Sequence, residues 1–391
     1  MVPRAFLAML LTVVAALAQS APVRVTSTVE LRGALAGAGP GTTILVAAGD
    51  YEGFGGAGVR GTARSPIVVR AADAKRPPRF TGGIHLAECA HLELEDLQIE
   101  GALANGLNID DRGTFESPSH HIVLRRITVR ECGGAGNHDG IKLSGVADFA
   151  VLDCTVERWG RRGSAIDMVG CRRGRIEDCN LRDRAEDTAA NGVQMKGGTR
   201  DVAVRRCRFE HAGERAVQLG GSTGRAYFRP RVEGFEAKDL VVEGCTIVGS
   251  TAAIAFVGCD GATVRHNTIH LPRRWVFRIL QETRDPEFVK CCRGNFTDNL
   301  IVLRGIDGVA NIGPDTAPET FTFARNYWFR VDAPERSLPR LPVPEERPAG
   351  GADPQFVDVE RGDLRLRPGS PARAHGAEAL PAERPAPASR R

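Results

Sequence analysis

The sequence predicts an all-β chain wound as a single-stranded right-handed parallel β-helix, and three observations predict it. A short phrase of an apolar residue, two polar residues, Cys or Asn, any residue and an apolar residue returns along most of the chain. A second phrase, opening on a small residue and then alternating apolar with polar, sits between its copies. The helical half that each repeat of a leucine-rich horseshoe would need is absent, which sets that rival solenoid aside.

The first phrase reads Ile176 to Leu181, Val204 to Phe209 and Val242 to Ile247 with Cys, then Val264 to Ile269, Phe296 to Ile301 and Phe323 to Trp328 with Asn. Copies recur roughly every 22 to 38 residues, the range of one solenoid coil. The second phrase reads Gly106 to Ile109, Gly140 to Leu143, Ala165 to Met168, Gly192 to Met195, Ala216 to Leu219 and Ala253 to Phe256. Strict alternation means strands with one apolar and one polar face. Stacked at ~4.8 Å, such strands share a core that no single coil could bury alone. Ile141, Leu143, Ile166, Met168, Val193, Met195, Val217 and Leu219 are therefore expected inside.

Cys154, Cys179, Cys207 and Cys245 occupy the position that Asn267, Asn299 and Asn326 take in later copies. That exchange predicts an inward ladder at a turn, with the thiols free and packed as small apolar groups rather than joined in disulfides. No Cys-x-x-Cys or spaced His pair marks a zinc site, so none is expected.

Arg4 precedes an apolar run from Ala5 to Ala18, which predicts a signal peptide over 1–21, with Gln19 or Pro22 as mature starts. About 14 apolar residues are short for a ~30 Å membrane core. The expected organisation is then a β-helix over 22–338, a C-terminal cap segment over 339–380 and a disordered, Pro-, Ala- and Arg-rich tail over 381–391. The protein is expected to be a secreted or periplasmic monomer with no membrane span after signal removal. A net charge of +4, with Arg spread along the repeats, excludes a nucleic-acid stripe and suits an anionic glycan.

Three phrases, Leu31 to Tyr51, Gly61 to Ala71 and Leu92 to Gly101, resemble the start of the chondroitinase B and alginate lyase family of polysaccharide lyases, whose fold is a pectate-lyase-like β-helix. Asp353 to Phe356 and Leu364 to Ala372 are similar to the closing phrase of many exported β-helix proteins. The resemblance implies a Lys base and a possible Ca²⁺ held by Asn and acidic side chains. Lys196, in Met195-Lys196-Gly197-Gly198, falls where the family's Lys would. The next coil reads Gln218-Leu219-Gly220-Gly221 in place of the family's Arg-His pair. Asp139 and Asn191 are the candidate Ca²⁺ ligands.

Stacking the second phrase puts Asn108, Lys142, Asp167, Gln194 and Gln218 in one outward row, a candidate binding face for an acidic polysaccharide. Breaking a uronate polymer by β-elimination requires neutralising its carboxylate and removing the proton at C5. Lys196 is the candidate base, wanting cationic or apolar surroundings, with Arg215 or His138 as acid and Lys142 binding the carboxylate. Two interruptions of the coils, Ser222 to Lys238 and Leu271 to Lys290, carry Arg225, Tyr227, Arg229, Trp275 and Arg278 as candidate wall residues for stacking on sugars and gripping anions. Capping of the core by Tyr227, Phe228 and Trp275 is the plain alternative. A C5-epimerase, favoured by His138-Asp139, and a non-catalytic glycan-binding β-helix stay open. Hydrolysis is disfavoured because the row shows few closely spaced carboxylate pairs.

Overall fold

A computed structural model describes residues 21–380, apart from residues 115, 116, 187 and 230. The apolar run of the expected signal peptide and the tail lie outside the described residues.

Each coil gives one strand to each of three parallel sheets, which hold 12, 10 and 12 strands among the described residues. In one coil the chain runs through Ile141–Ser144 in the 10-stranded sheet (the second), Ala147–Leu152 in the first and Thr155–Glu157 in the third. The register is the expected one: Ile141, Ile166, Val193 and Val217 stack in one column and Leu143, Met168, Met195 and Leu219 in another. All eight are at most 1% exposed. The bend out of the second sheet needs a left-handed residue, and Gly145, Gly170, Gly197 and Gly258 supply it with φ between 61° and 65°.

At the bend between the first and third sheets, a left-handed residue is followed by an inward one. Cys154, Cys179, Cys207 and Cys245 are buried there, and all ten cysteines are free. The thiols reach carbonyls of the preceding coil, as Cys179 Sγ donates to Val151 O at 3.6 Å and Cys207 Sγ to Ile176 O at 3.7 Å. From Asn267 onward the ladder becomes a chain of amides: Asn267 Nδ2 donates to Asn299 Oδ1 at 3.0 Å, and Asn299 Nδ2 to Asn326 Oδ1 at 2.9 Å. Glu345 ends it by accepting from Asn326 Nδ2 and Trp328 Nε1.

Several arginines pair between coils. Asp96 pairs with Arg126, Asp178 with Arg206 and Asp298 with Arg325 at the left-handed corner, and Asp148 with Arg173 at another. Part of their even spread through the sequence thus serves coil-to-coil pairing.

The helix Thr28–Ala36, capped by the Ser27 side chain accepting from Glu30 N, lays Leu31 and Leu35 over the N-terminal end of the core. At the other end, Ala349–Gly350 pairs with Tyr327–Arg330 and Glu346 bridges Ala324, so coil pairing runs past 338. The remaining cap is an antiparallel pair, Phe356–Asp358 with Asp363–Leu366. It packs Phe356, Leu364 and Leu366 on Leu300, Val302, Tyr327 and Phe329 outside the third sheet.

Candidate functional site

Asn108, Lys142, Asp167, Gln194 and Gln218 face one another strand to strand along the second sheet. The row continues through Ala255 to Arg278 and Asn311. It points away from the core as expected, yet it is not a solvated face: Asp167 is 1% exposed, Gln218 2% and Gln194 7%. The chain after Gly220 doubles back over it. A Cβ on Gly221 would lie 3.0 Å from Gln194 Nε2 and 3.2 Å from both Gln218 Nε2 and Lys196 Cβ.

Beneath this roof, Lys142 Nζ meets the carboxylates of both Asp167 and Asp139, the latter at 3.4 Å. Lys196 Nζ lies 3.5 Å from Asp167 Oδ1 and donates to Gln194 Oε1 at 3.0 Å. Asp167 Oδ1 is buried and accepts no hydrogen bond among the described residues. Burial, reinforced by the charge of Asp167, pushes Asp139 up to about 6. Burial pulls the other way on Lys142, but the two carboxylates outweigh it and hold the ammonium above its usual value. Two features depart from the sequence reading. Asp139 and Asp167, both beside Lys142 as the sequence places them, share its ammonium and so make a carboxylate pair of the kind the outward row was read as having few of. Lys196 has anionic and amide neighbours instead of the cationic or apolar ones its expected role wanted.

Cationic crowding exists one and more coils away. Arg215 bonds Gln218 Oε1 and, at 2.9 Å, Glu282 Oε1. Burial, then the charge of Arg215, lowers Arg278 below its usual value. Arg278 donates to Asn311 at 3.0 Å. Arg274 and Arg278 lie 4.2 and 4.6 Å from the centre of the Trp275 ring, which is thus engaged by guanidinium groups. Trp275 and Arg278 belong to a regular strand, Trp275–Leu280, so the second interruption is only the loop after it. The alternation of Trp275 to Leu280 was the signal that could have shown this. His138 stands at the corner ahead of the second-sheet strand, its ring against Gly136, where an added Cβ would come within 2.5 Å of Cδ2.

The two loops are tied together. Arg225 bonds Glu287 and reaches Asp285 at 3.4 Å, and Phe228 packs edge-on against Phe288 with ring centres 5.5 Å apart. Phe228 is thus the buried cap, whereas Tyr227 is 67% exposed. Arg229 reaches back to the buried Asp111 at 3.1 Å. At the junction lies Glu236, fully buried, a residue the sequence reading did not single out. It accepts from Gly197 N at 3.0 Å, Thr223 N at 2.8 Å, Thr223 Oγ1 at 2.8 Å and Thr283 Oγ1 at 2.5 Å. A Glu inside a loop carries no sequence mark of such a role. Between the first loop and the sheet is a cavity of about 350 Å³, lined by Asn137, Lys142, Ser144, Lys196, Thr223, Tyr227 and Arg229 among others.

Asp139 and Asn191 do not fit Ca²⁺, which takes six to eight oxygen ligands. Asp139 Oδ1 accepts from Ser164 N at 2.7 Å and Oδ2 faces Lys142 Nζ. Asn191 turns its Nδ2, a donor, toward Ser164 and Gln194. The lysine ammonium groups take the place a cation would have between the carboxylates.

Residues 81–230, which span most of this row, match the family described as right handed beta helix region. The fold is a right-handed parallel β-helix. Solved β-helix structures of low sequence identity agree. An alginate lyase from Paenibacillus is 16% identical, with 75% of this chain and 97% of that one covered and a TM-score of 0.53. A rhamnogalacturonan lyase is 12% identical over 84% and 86%, with a TM-score of 0.56. A lacto-N-biosidase from Eubacterium ramulus is 13% identical over 84% and 67%, also at 0.56. No protein of curated function matches the chain. At these identities the likeness is one of fold, and the β-helix alone does not choose a chemistry.

Proposed function

We propose that the chain is an exported lyase that binds an acidic, uronate-containing polysaccharide over the second sheet and cleaves it by β-elimination. The observation that carries this reading is the cavity in which Lys142 and Lys196, both held on a buried carboxylate, face Tyr227. A uronate carboxylate entering there meets the Lys142 ammonium with hydroxyls and amides beside it, the donors needed to hold the charge that develops when C5 loses its proton. Lys196 is the base. It acts as the free amine, its proton having gone to solvent, with Asp167 Oδ1 3.5 Å from its Nζ. As Lys196 takes the C5 proton, the C4–C5 double bond forms and the C4–O4 bond breaks. The leaving oxygen takes a proton from the Tyr227 hydroxyl, which replaces Arg215 and His138 as the acid because it lines the cavity and they do not. That the solved β-helices named above include lyases supports the reading by analogy of fold only.

A second reading, glycoside hydrolysis, is favoured by the Asp139–Asp167 pair, one carboxyl raised to about 6 and the other held between two lysines. Incubation with a panel of uronate polymers separates the two. New ultraviolet absorbance from the C4–C5 double bond supports the lyase, and Lys196→Ala then lowers its appearance about 100-fold or more with the fold intact. Reducing ends without that absorbance, abolished by Asp139→Asn, move the assignment to hydrolysis. Retention of a polymer on the protein with no product leaves binding alone.

A further inference from the structure

Sequence spacing gave no zinc site, but the coil brings together what the chain keeps about 30 residues apart. His120 pairs with Ala90 and Ile122 with Leu92 in the first sheet, which sets His121 beside His91 on the neighbouring coil. The His91 and His121 rings stack with centres 4.3 Å apart, and His120 stands edge-on to both at 5.4 and 5.1 Å. His120 Nδ1 and His121 Nδ1 are 2.9 Å apart, and one nitrogen from each of the three rings lies within 4.8 Å of the others. Two rings whose nitrogens face each other must divide one proton between them or share a cation.

His91 and His121 hold left-handed φ values of 48° and 54°, the conformation that Asp148 and Arg173 adopt on the next two coils. Those two close a carboxylate–guanidinium pair from coil to coil at 2.7 Å. Where those two meet as opposite charges, His91 and His121 stack ring on ring, and Asp148 follows His121 on the next coil. Beside it opens a cavity of about 420 Å³ lined by His91, His121, Glu93 and Asp148 among others.

We propose that His91, His120 and His121 bind a zinc-class divalent cation, with a fourth position open to the adjoining cavity for water or a carboxylate. Three imidazoles suit Zn²⁺, Cu²⁺ or Ni²⁺ and not Ca²⁺, which takes oxygen ligands. Tetrahedral Zn²⁺ at ~2.0–2.1 Å from each nitrogen places the nitrogens about 3.3 Å apart, so small side-chain rotations close the present arrangement. The ion would clamp two neighbouring coils. The site lies in the first sheet and is independent of the polysaccharide reading, which concerns the second.

Calorimetric titration of the untagged, metal-stripped full chain with zinc chloride at pH 7.5 tests this. One ion per chain binds with a dissociation constant in the micromolar range or tighter, and millimolar Ca²⁺ does not displace it. His120→Asn, and His91→Asn or His121→Asn, where Asn tolerates the left-handed backbone, each weaken it at least tenfold while circular dichroism stays that of the wild type. His85→Asn, an exposed histidine elsewhere, binds as the wild type does. Cobalt substituted for zinc gives visible bands that the His120→Asn protein lacks. A folded wild-type chain that retains no zinc at 50 micromolar overturns the proposal, and so does unchanged binding by the folded variants.

Discussion

The two charged arrays of this molecule obey opposite rules. At the outer corner, Asp96–Arg126, Asp178–Arg206 and Asp298–Arg325 pair in contact with water, one coil to the next. In the second sheet, Lys142, Lys196, Asp139 and Asp167 pair beneath a roof, where each charge exists only because another compensates it. Exposed pairs are each worth little, whereas a buried group stripped of its partner is costly. The corners can thus vary coil by coil, while the roofed row must change as a set. Combining so many interdependent charges with loops that bury them is how the fold makes a site out of what elsewhere is surface.

Asp167→Ala should separate the arrays most sharply. It leaves two partly buried ammonium groups without their shared counter-charge, and a loss of about 3–5 kcal/mol is expected in urea unfolding. A loss below 1 kcal/mol would place the row among the exposed arrays. Glu236→Gln comes next. The amide puts a donor where four donors converge, at an expected cost of about 3 kcal/mol, and limited proteolysis should open the chain at 222–236 and 281–290 before the coils are touched.

Asp139 sharpens the comparison through pH. Its carboxyl is raised to about 6 from an unfolded value of 3.8, so the folded state holds this proton more tightly, and the contribution is lost as pH rises through that window. His270, pushed down to about 4 by burial and then by Arg304 and Arg208, does the reverse: its contribution is lost as pH falls from 6.5 toward 4. Melting curves of Asp139→Asn should gain on the wild type between pH 4.5 and 7.5 by on the order of 2 kcal/mol. A constant offset across that range would show that the charge of Asp139 does not matter. The smallest effect belongs to the corner: Arg126→Ala should cost under about 1 kcal/mol, vanishing in high salt, by the same urea measurement.

The architecture was legible because each strand's inward residues are apolar in every coil, and a period of two leaves only one register that buries them. Ile141, Ile166, Val193 and Val217 thus announced their column, and with it the Lys142 to Gln218 row. The Cys-to-Asn exchange was legible for the same reason, since position in the repeat tells more than residue type. What alternation could not show was anything decided by loops: that Gly221 folds over Gln194 and that Glu236 gathers two loops. The stacking of His91 on His121 was missed because neither belongs to the two phrases whose copies set the register.

The helix Thr28–Ala36 has a consequence for assembly. A stack of parallel coils ends in strands whose N–H and C=O groups could recruit another molecule's coil, and an unblocked end would grow filaments. Leu31 and Leu35 close one end, and the Glu345 side chain with the two-residue strand Ala349–Gly350 closes the other. Among the described residues, the stack thus carries a cover at its first coil and a side-chain stop on the third sheet at its last.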